Sequence, residues 1–575
     1  MHLGLLEATN FRSCRQSRFW FQPDLTVLVG ENNSGKSNVV DAIRLVTTPS
    51  DGRRTRYCEA ADVSFNSDDP WFDIRAVYAG LSMQKQAMYL PASDGVGTGE
   101  ISYRLRHDVA GPHERRGLNS WTVGTNESAD PEPAARERIR HVFLPPLRDA
   151  QQALASGSGD RIEFVMKALA ANDEIETFEA SAAAAFDNLS TDPLVVRAND
   201  EVAAQLSSLS RGSMPHTSKF GFSEPSLRQL ARALRVKIGE VGLEPAELTH
   251  TGLGYANLLF LATVVVELEA TQDADLTVFL VEEPEAHLHP QLQTAVLDFL
   301  TGAARHEVDV PGEIQVIVTT HSAQLAAAVP AAHVAVIKAP HLPDTDSPTR
   351  CSAAVPAWML DVPEDHRRKV DRYINATRSP MLFGPRVLLV EGLAEALLLP
   401  PLARRVLVDD DDFARFRGAA LVAIDGVDFE PYLRLLLSQH DGICIAERVV
   451  VITDKDPTAP GDRVARLGEL AHELGAQQRL HVEAADITLE ASLFSEGNEV
   501  CLHDGFIAQR PQSQQAWDDM MLTPEPDRAA ALIKLFQDKR ISKGDLAQHV
   551  AGIVESAAPF AVPPYLQAAI NAATA

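Results

Sequence analysis

Short apolar runs, each closed by glycine or acidic residues, recur along the chain and set its rhythm. Near the amino terminus, strands lead to the run 25–29, a glycine-bearing loop follows, and helical spacing begins at Lys36. This order reads as strand, loop, helix. Polar segments at 94–99 and 111–130, rich in Gly, Asp and Ser, predict hairpins and surface loops on the same lobe. From 148 to 234 the chain turns Ala-rich at helical spacing, which predicts an inserted helical arm. The run 258–266 reads as a buried helix. Apolar strands return at 277–281, 315–319 and 333–337 with helices between them, the alternation of a mostly parallel α/β sheet. The Pro- and Asp-rich stretch 339–363 reads as a linker. A second α/β rhythm follows, with strands at 386–390, 420–424, 449–453 and 479–482, and from 492 to 575 the pattern is helical.

A chain of 575 residues exceeds one hydrophobic core, so several domains are expected. No apolar run reaches the roughly 18 residues needed to span a bilayer, and Met1-His2-Leu3-Gly4 opens no secretory signal, so no membrane association and a cytoplasmic location are expected. The five cysteines, Cys14, Cys58, Cys351, Cys444 and Cys501, never fall as CxxC, which argues against a disulfide framework and a zinc site. The net charge of -27 excludes a protein that simply coats nucleic acid, so contact with DNA must be local. Local basic clusters are Arg12, Arg15 and Arg18; Arg53, Arg54 and Arg56; Arg136, Arg138 and Arg140; Arg367, Arg368 and Lys369; and Lys539, Arg540 and Lys543.

The loop after the first strand, Gly30-Glu31-Asn32-Asn33-Ser34-Gly35-Lys36-Ser37, matches the phosphate-binding pattern G-x-x-x-x-G-K-[ST] and sits in its required strand-to-helix context. Backbone N–H groups around Asn32, Asn33, Ser34, Gly35 and Asn38 would cradle the phosphates of ATP, Lys36 would neutralise them, and the Ser37 hydroxyl would ligate Mg²⁺. The strand 277–281 ends in Glu282 and Glu283, the first to orient magnesium through water and the second to activate the attacking water. Thr320-His321, closing the next strand, is positioned to sense the γ-phosphate. His287 and His289 are not read as a metal pair, because alternate residues of a helix do not share a face; a structural role near a subunit contact is expected. The segment Thr251-Gly252-Leu253-Gly254-Tyr255-Ala256-Asn257 opens a helix and looks like the element that, in ABC-type ATPases, covers the nucleotide of the opposite protomer, although Leu-Ser-Gly-Gly-Gln is absent. A homodimer or larger even assembly is therefore expected.

Further on, strand 386–390 delivers Glu391 with Glu395 one turn later, and strand 449–453 delivers Asp454 and Asp456. Open α/β sheets place their sites at such strand ends. Clustered carboxylates repel one another unless divalent cations join them, and hard oxygen ligands suit Mg²⁺ or Mn²⁺. With a second ion held by Glu395 and Glu490, two metals would clamp the attacking and leaving oxygens of a phosphodiester, while Lys543 would stabilise transition-state charge. This arrangement resembles the Toprim pattern of topoisomerases, primases and certain nucleases.

Taken together the chain resembles the overcoming-lysogenisation-defect (OLD) family of nucleases, including the Gabija-type antiphage nuclease subunit. The resemblance rests on Asn10-Phe11-Arg12, the P-loop, Leu144-Pro145-Pro146-Leu147-Arg148-Asp149, Gly252-x-Gly254-x-x-Asn257, Glu282-Glu283-Pro284-Glu285-Ala286-His287-Leu288-His289-Pro290, Thr320-His321-Ser322 and the Toprim set. It implies an α/β chain with an ABC ATPase in two lobes (1–147 and 239–345) split by a helical dimerisation insert (148–238), a linker (346–384) and a Toprim nuclease domain with helical elements (385–575). It further implies metal-dependent cleavage of DNA by Glu391, Glu395, Asp454, Asp456, Glu490 and Lys543, antiphage defence, and a UvrD-like helicase partner if the chain is Gabija-type. Three alternatives stand beside it. A Toprim topoisomerase needs a tyrosine nucleophile, which the eight tyrosines leave open. A primase would need a zinc module, against which the cysteine pattern speaks. A DNA-clamping ATPase of the structural-maintenance-of-chromosomes (SMC) type would need long heptads, which are missing. Since the two sets of motifs occupy separate domains, nucleotide is expected to regulate the nuclease.

Overall fold

The computed structural model describes the chain except residues 51, 66, 94, 96–98, 110–116, 126, 147–159, 172, 211–213, 215, 235, 240–241, 243, 248–252, 271–273, 287, 305–312, 341–350, 375–376, 456–461 and 557. Arg148, Asp149, Thr251, Gly252, His287 and Asp456 therefore lie outside the described residues, as does the side chain of Asn257.

The central sheet has seven strands in the order Ala353–Pro356, Val334–Lys338, Leu25–Val29, Glu313–Thr320, Leu276–Glu282, Ile139–Leu144 and Thr48–Pro49. Every neighbouring pair is parallel except the first. Leu25–Val29 is buried at all five positions, as expected of a parallel strand covered on both faces. One face carries the P-loop helix Lys36–Val46 and a six-stranded antiparallel sheet built on His2–Phe11 and Trp71–Ala79, sharing a core with Ile43, Phe72 and Leu280. The helix Leu253–Ala270 packs on the other face, with Val264 and Leu268 in its core.

The arm forms the helices Asp160–Leu169, Glu174–Ser190, Pro193–Leu209 and Leu227–Ala233. Neither long helix buries a single residue, and Phe178, Leu194 and Val202 stand exposed. The stretch read as a linker contains a strand. Ala353–Pro356 adds an antiparallel edge strand whose register pairs Val336 with Val355, and an edge tolerates a terminal proline because no neighbour asks for its missing N–H. Likewise His289 does not sit in a helix: residues 284–286 turn, and the helix starts at Pro290.

The second sheet has four parallel strands, ordered Ala420–Ala423, Arg386–Val390, Arg448–Asp454 and Leu480–Ala485. Its outer face is covered by helices from the last third of the chain, including Leu393–Val406, Lys543–Glu555 and Pro564–Thr574. Its inner face joins the core of the first sheet, since one apolar cluster runs from Val27 and Val318 through Leu382 to Leu389 and Val451. Among the described residues, no helix is long and apolar enough to cross a membrane.

Candidate functional site

At the P-loop, the Lys36 ammonium donates to the carbonyls of Gly30 at 2.9 Å and Glu31 at 2.8 Å and lies 3.3 Å from His321 Nδ1. Burial pulls its pKa down to about 8, with Glu283, Glu285 and Glu31 acting in the opposite sense. Ser37 hydrogen-bonds Glu282, whose carboxyl is raised chiefly by burial. Glu283 takes a left-handed backbone, φ +44°, and its N–H donates to Thr319 O at 2.9 Å. A non-glycine residue held there is strained, and the turn aims its carboxylate at His321 Nε2, 3.4 Å away. His321 is itself pushed down by burial and by Lys36. Glu285 Oε1 ties the sensor turn by accepting from Thr320 Oγ1 at 2.7 Å and His321 N at 2.8 Å.

The cradle fits a phosphate. Ser34 Oγ is buried without a hydrogen-bond partner, and Gly35 holds φ +106° where a Cβ would stand 2.1 Å from Ser352 Oγ. Asn32 and Asn33 are exposed on the loop. The side-chain amide of Asn38 is held beside the loop: its Nδ2 donates to Ser13 Oγ at 2.7 Å and its Oδ1 accepts from Arg12 at 3.0 Å. Gly254 lies in the first turn of Leu253–Ala270.

At the second sheet, Glu391, Glu395, Asp454, Glu490 and Lys543 meet. Asp454 is pushed up to about 8, first by burial and then by Glu391, Glu395 and Glu490, with Lys543 opposing. Glu395 is raised by burial, Glu490 and Glu391 while its Oε2 accepts from Gly392 N at 3.1 Å. Glu490 is buried; Lys543 Nζ lies 3.2 Å from its carboxylate, and its Oε1 has no hydrogen-bond partner. Burial alone would lower Lys543, yet Glu490, Asp454 and Glu395 raise it, so it stays charged. Glu391 Oε1 accepts from Thr453 Oγ1, from Asp454 N at 2.8 Å and from Arg463 Nη1 at 2.9 Å.

The donor set is all oxygen and raises its own carboxyls, the chemistry that suits hard divalent cations. No three acidic or histidine side chains among the described residues stand close enough together to hold an ion. Glu391 faces Arg463 and Glu490 faces Lys543, so each carboxylate is engaged by a cation of the chain.

Several residues escaped the reading of the sequence. Arg463 opens a helix after Asp454, and nothing in its neighbourhood marks it as a partner of Glu391. Ser352, in the stretch taken for a linker, donates to Ser34 O at 2.7 Å beneath the P-loop. A hydrogen-bonded path also joins the centres. Ser379 Oγ donates to Ala323 O at 2.7 Å, two residues past His321; Arg378 donates to Ala423 O at 3.0 Å and pairs with Asp425 at 2.6 Å; and Gly426 N donates to Glu391 O at 3.0 Å.

The family model described as "AAA domain, putative AbiEii toxin, Type IV TA system" matches residues 25–327, more than half of the chain. A second, described as "Overcoming lysogenization defect protein-like, TOPRIM domain", matches residues 382–456. The DNA replication and repair protein RecF of Mesorhizobium japonicum is 27% identical over 172 residues, 30% of this chain and 39% of that relative's length. The OLD nuclease of Thermus scotoductus is 24% identical over 487 residues, 79% of this chain and 82% of the relative. The solved C-terminal region of the Burkholderia pseudomallei OLD protein is 26% identical, covers 33% of this chain and 96% of its own, and has a TM-score of 0.24. The chain belongs to the AAA-domain family of that description, and after the ATPase it carries a Toprim domain of the overcoming-lysogenisation-defect-like kind.

Proposed function

We propose that this chain is a divalent-metal-dependent DNA endonuclease whose Toprim centre hydrolyses phosphodiesters and whose ATPase domain regulates it. The convergence of Glu391, Glu395, Asp454 and Glu490 with Lys543 at one sheet edge carries this reading. Two bound Mg²⁺ or Mn²⁺ ions supply Lewis-acid stabilisation of the attacking and leaving oxygens. Glu391, Glu395, Asp454 and Glu490, with Asp456 of the sequence motif, would hold them, and Lys543 would face the negative charge that develops on the phosphate. Water forms the new bond to phosphorus as the bond to one strand's oxygen breaks. At the P-loop, Lys36 would exchange the carbonyls of Gly30 and Glu31 for ATP phosphates, Ser37 would ligate the nucleotide's magnesium, Glu282 would orient that ion through water, Glu283 would activate the attacking water, and His321 would read the γ-phosphate.

The shared core and the path from His321 past Arg378 to Glu391 support regulation by nucleotide. The apolar face of the arm, with Phe178 and Leu194, supports a homodimer in which Gly252, Gly254 and Asn257 of one copy cover the nucleotide of the other. Antiphage defence, a UvrD-like helicase partner and a cytoplasmic site extend this reading through the Gabija-type resemblance. The test is cleavage of supercoiled plasmid by wild type and Asp454→Ala with Mg²⁺ or Mn²⁺, with and without ATP. Metal-dependent nicking or linearisation lost in the variant is expected; cleavage that survives in Asp454→Ala would sink the assignment.

A further inference from the structure

The last helix of the chain, Pro564–Thr574, packs on the Toprim sheet, and its direction is fixed at its carboxyl end. Arg386 donates to Ala575 O at 3.4 Å and Arg448 to Ala572 O at 3.2 Å. Both arginines open strands, Arg386–Val390 and Arg448–Asp454, so the end of the helix lies by the amino ends of those strands. Eleven residues at about 1.5 Å each carry the helix back along them. Its first turn, which holds Tyr565, thus reaches the carboxyl edge where Glu391 and Asp454 stand.

The approach to that turn is fixed as well. The buried Asn498 donates to Leu493 O and Ala561 O, each at 2.9 Å, and accepts from Ala561 N at 2.9 Å. This clamp ties the segment entering the last helix to Leu489–Ser495, the helix that bears Glu490. Tyr565 and Glu490 are therefore held as one unit. The tyrosine ring packs on the helical core, and no described residue hydrogen-bonds the hydroxyl. Burial first, and then the charges of Asp454, Glu395, Glu490 and Glu391, hold the hydroxyl protonated. Lys543 opens a helix at the same edge, so the centre has one charged and one neutral donor, each on a helix's first turn.

Building on the nuclease reading above, we propose that Tyr565 contacts the substrate, its hydroxyl donating a hydrogen bond to a non-bridging oxygen of the phosphodiester being cleaved. A phenol is protonated at neutral pH and needs only an acceptor; a phosphate oxygen is a charged one, and such bonds are the stronger kind.

The test compares wild type, Asp454→Ala, Tyr565→Phe and Tyr565→Gln as full-length proteins. Phenylalanine keeps the ring's packing, and glutamine restores a donor. With Ca²⁺ present, Tyr565→Phe is expected to bind a labelled duplex about 10-fold more weakly by fluorescence anisotropy, with Mn²⁺ affinity by calorimetry unchanged. Single-turnover cleavage with Mn²⁺ is expected to slow by about 10-fold or more, with partial recovery in Tyr565→Gln. A Tyr565→Phe protein that matches active wild type in duplex affinity and cleavage overturns the proposal and leaves the nuclease reading standing. A covalent tyrosyl–DNA adduct in wild type, absent from Tyr565→Phe, also overturns it, in favour of attack by the phenol itself. If wild type cleaves nothing, the nuclease reading fails and this proposal with it.

Discussion

After the end of Leu25–Val29 the chain offers a buried ammonium, Lys36; at the end of Arg448–Asp454 it offers a half-buried carboxyl, Asp454. Burial disfavours the charged form of both groups, so Lys36 falls to about 8 and Asp454 rises to about 8, from opposite sides. The difference lies in the company each keeps. Lys36 is satisfied by the backbone carbonyls of Gly30 and Glu31, so the P-loop is a finished cradle that lacks only an anion. Asp454 is surrounded by Glu391, Glu395 and Glu490, whose repulsion Lys543 only partly offsets, so its centre is net acidic. On the proposed reading this explains how a chain of net charge -27 handles DNA: metal ions, rather than a basic surface, bring positive charge to the phosphate.

Crossed substitutions put the largest strain on this comparison. Lys36→Ala is expected to weaken ATP binding by about 100-fold or more while leaving Mn²⁺ binding at the Toprim centre intact. Asp454→Ala is expected to cut cleavage by about 1,000-fold or more and leave ATP affinity alone. Calorimetry with each ligand on each variant reads the cross; metal affinity that collapses in Lys36→Ala would mean the centres are not separately built. Next in size is Lys543→Ala. Its ammonium is charged but its side chain is largely open, and it pairs with the buried Glu490. A loss of about 10–100-fold in kcat with little change in KM is expected from removing a transition-state contact; a change confined to KM would reassign Lys543 to substrate binding.

The parts of these centres that the sequence announces are those carried by consecutive residues or by strand ends. The P-loop, Glu282 and Glu283 after one buried strand, and Glu391 and Asp454 after two others all fall where a parallel sheet must end. Their partners came from elsewhere in the chain. Arg463 reaches Glu391 across 72 positions, and Ser352 reaches Ser34 across 318. Nothing local distinguishes either from a surface residue. The side chain of Asn38 is likewise claimed from a distance, since Arg12 and Ser13, brought alongside by the antiparallel sheet, take its amide. The edge strand Ala353–Pro356 escaped because four residues closed by proline carry too short an alternation to read.

A smaller effect tests the opposite signs directly. Asp454, raised to about 8 from an ordinary 3.8, keeps a proton in the folded chain that the unfolded chain gives up. Its contribution to stability is full below about pH 4 and is lost as pH rises through about 8. Lys36, lowered from 10.5 to about 8, works the other way: it penalises the folded chain below about pH 8, and that penalty lifts as pH climbs toward 10.5. In chelator, wild-type Tm compared with Asp454→Asn is expected to fall between pH 4 and 8. Compared with Lys36→Met it is expected to recover between pH 8 and 10.5. Each slope should lie below the full one-proton value of about 1.4 kcal/mol per pH unit, because both groups keep some access to solvent. Parallel Tm curves for wild type and Asp454→Asn would break the contrast.

The smallest effect falls on the one residue here that belongs to neither motif. Ser352 is fully buried, donates to Ser34 O at 2.7 Å and stands 2.6 Å from Ser13 Oγ. Ser352→Ala removes two neutral hydrogen bonds and leaves a buried carbonyl without its donor, a cost of about 1–3 kcal/mol. Because Ser34 O belongs to the P-loop backbone, part of that loss should fall on nucleotide: ATP affinity is expected to drop about threefold to tenfold, with Mn²⁺ binding unchanged. The loss should not resemble that of Gly35→Ala, which would both strain a φ of +106° and drive a Cβ into Ser352. If Ser352→Ala lowers Tm but leaves ATP affinity unchanged, the loop is rigid without its support. The edge strand then serves stability alone, and the nucleotide cradle is complete in the residues between Gly30 and Ser37.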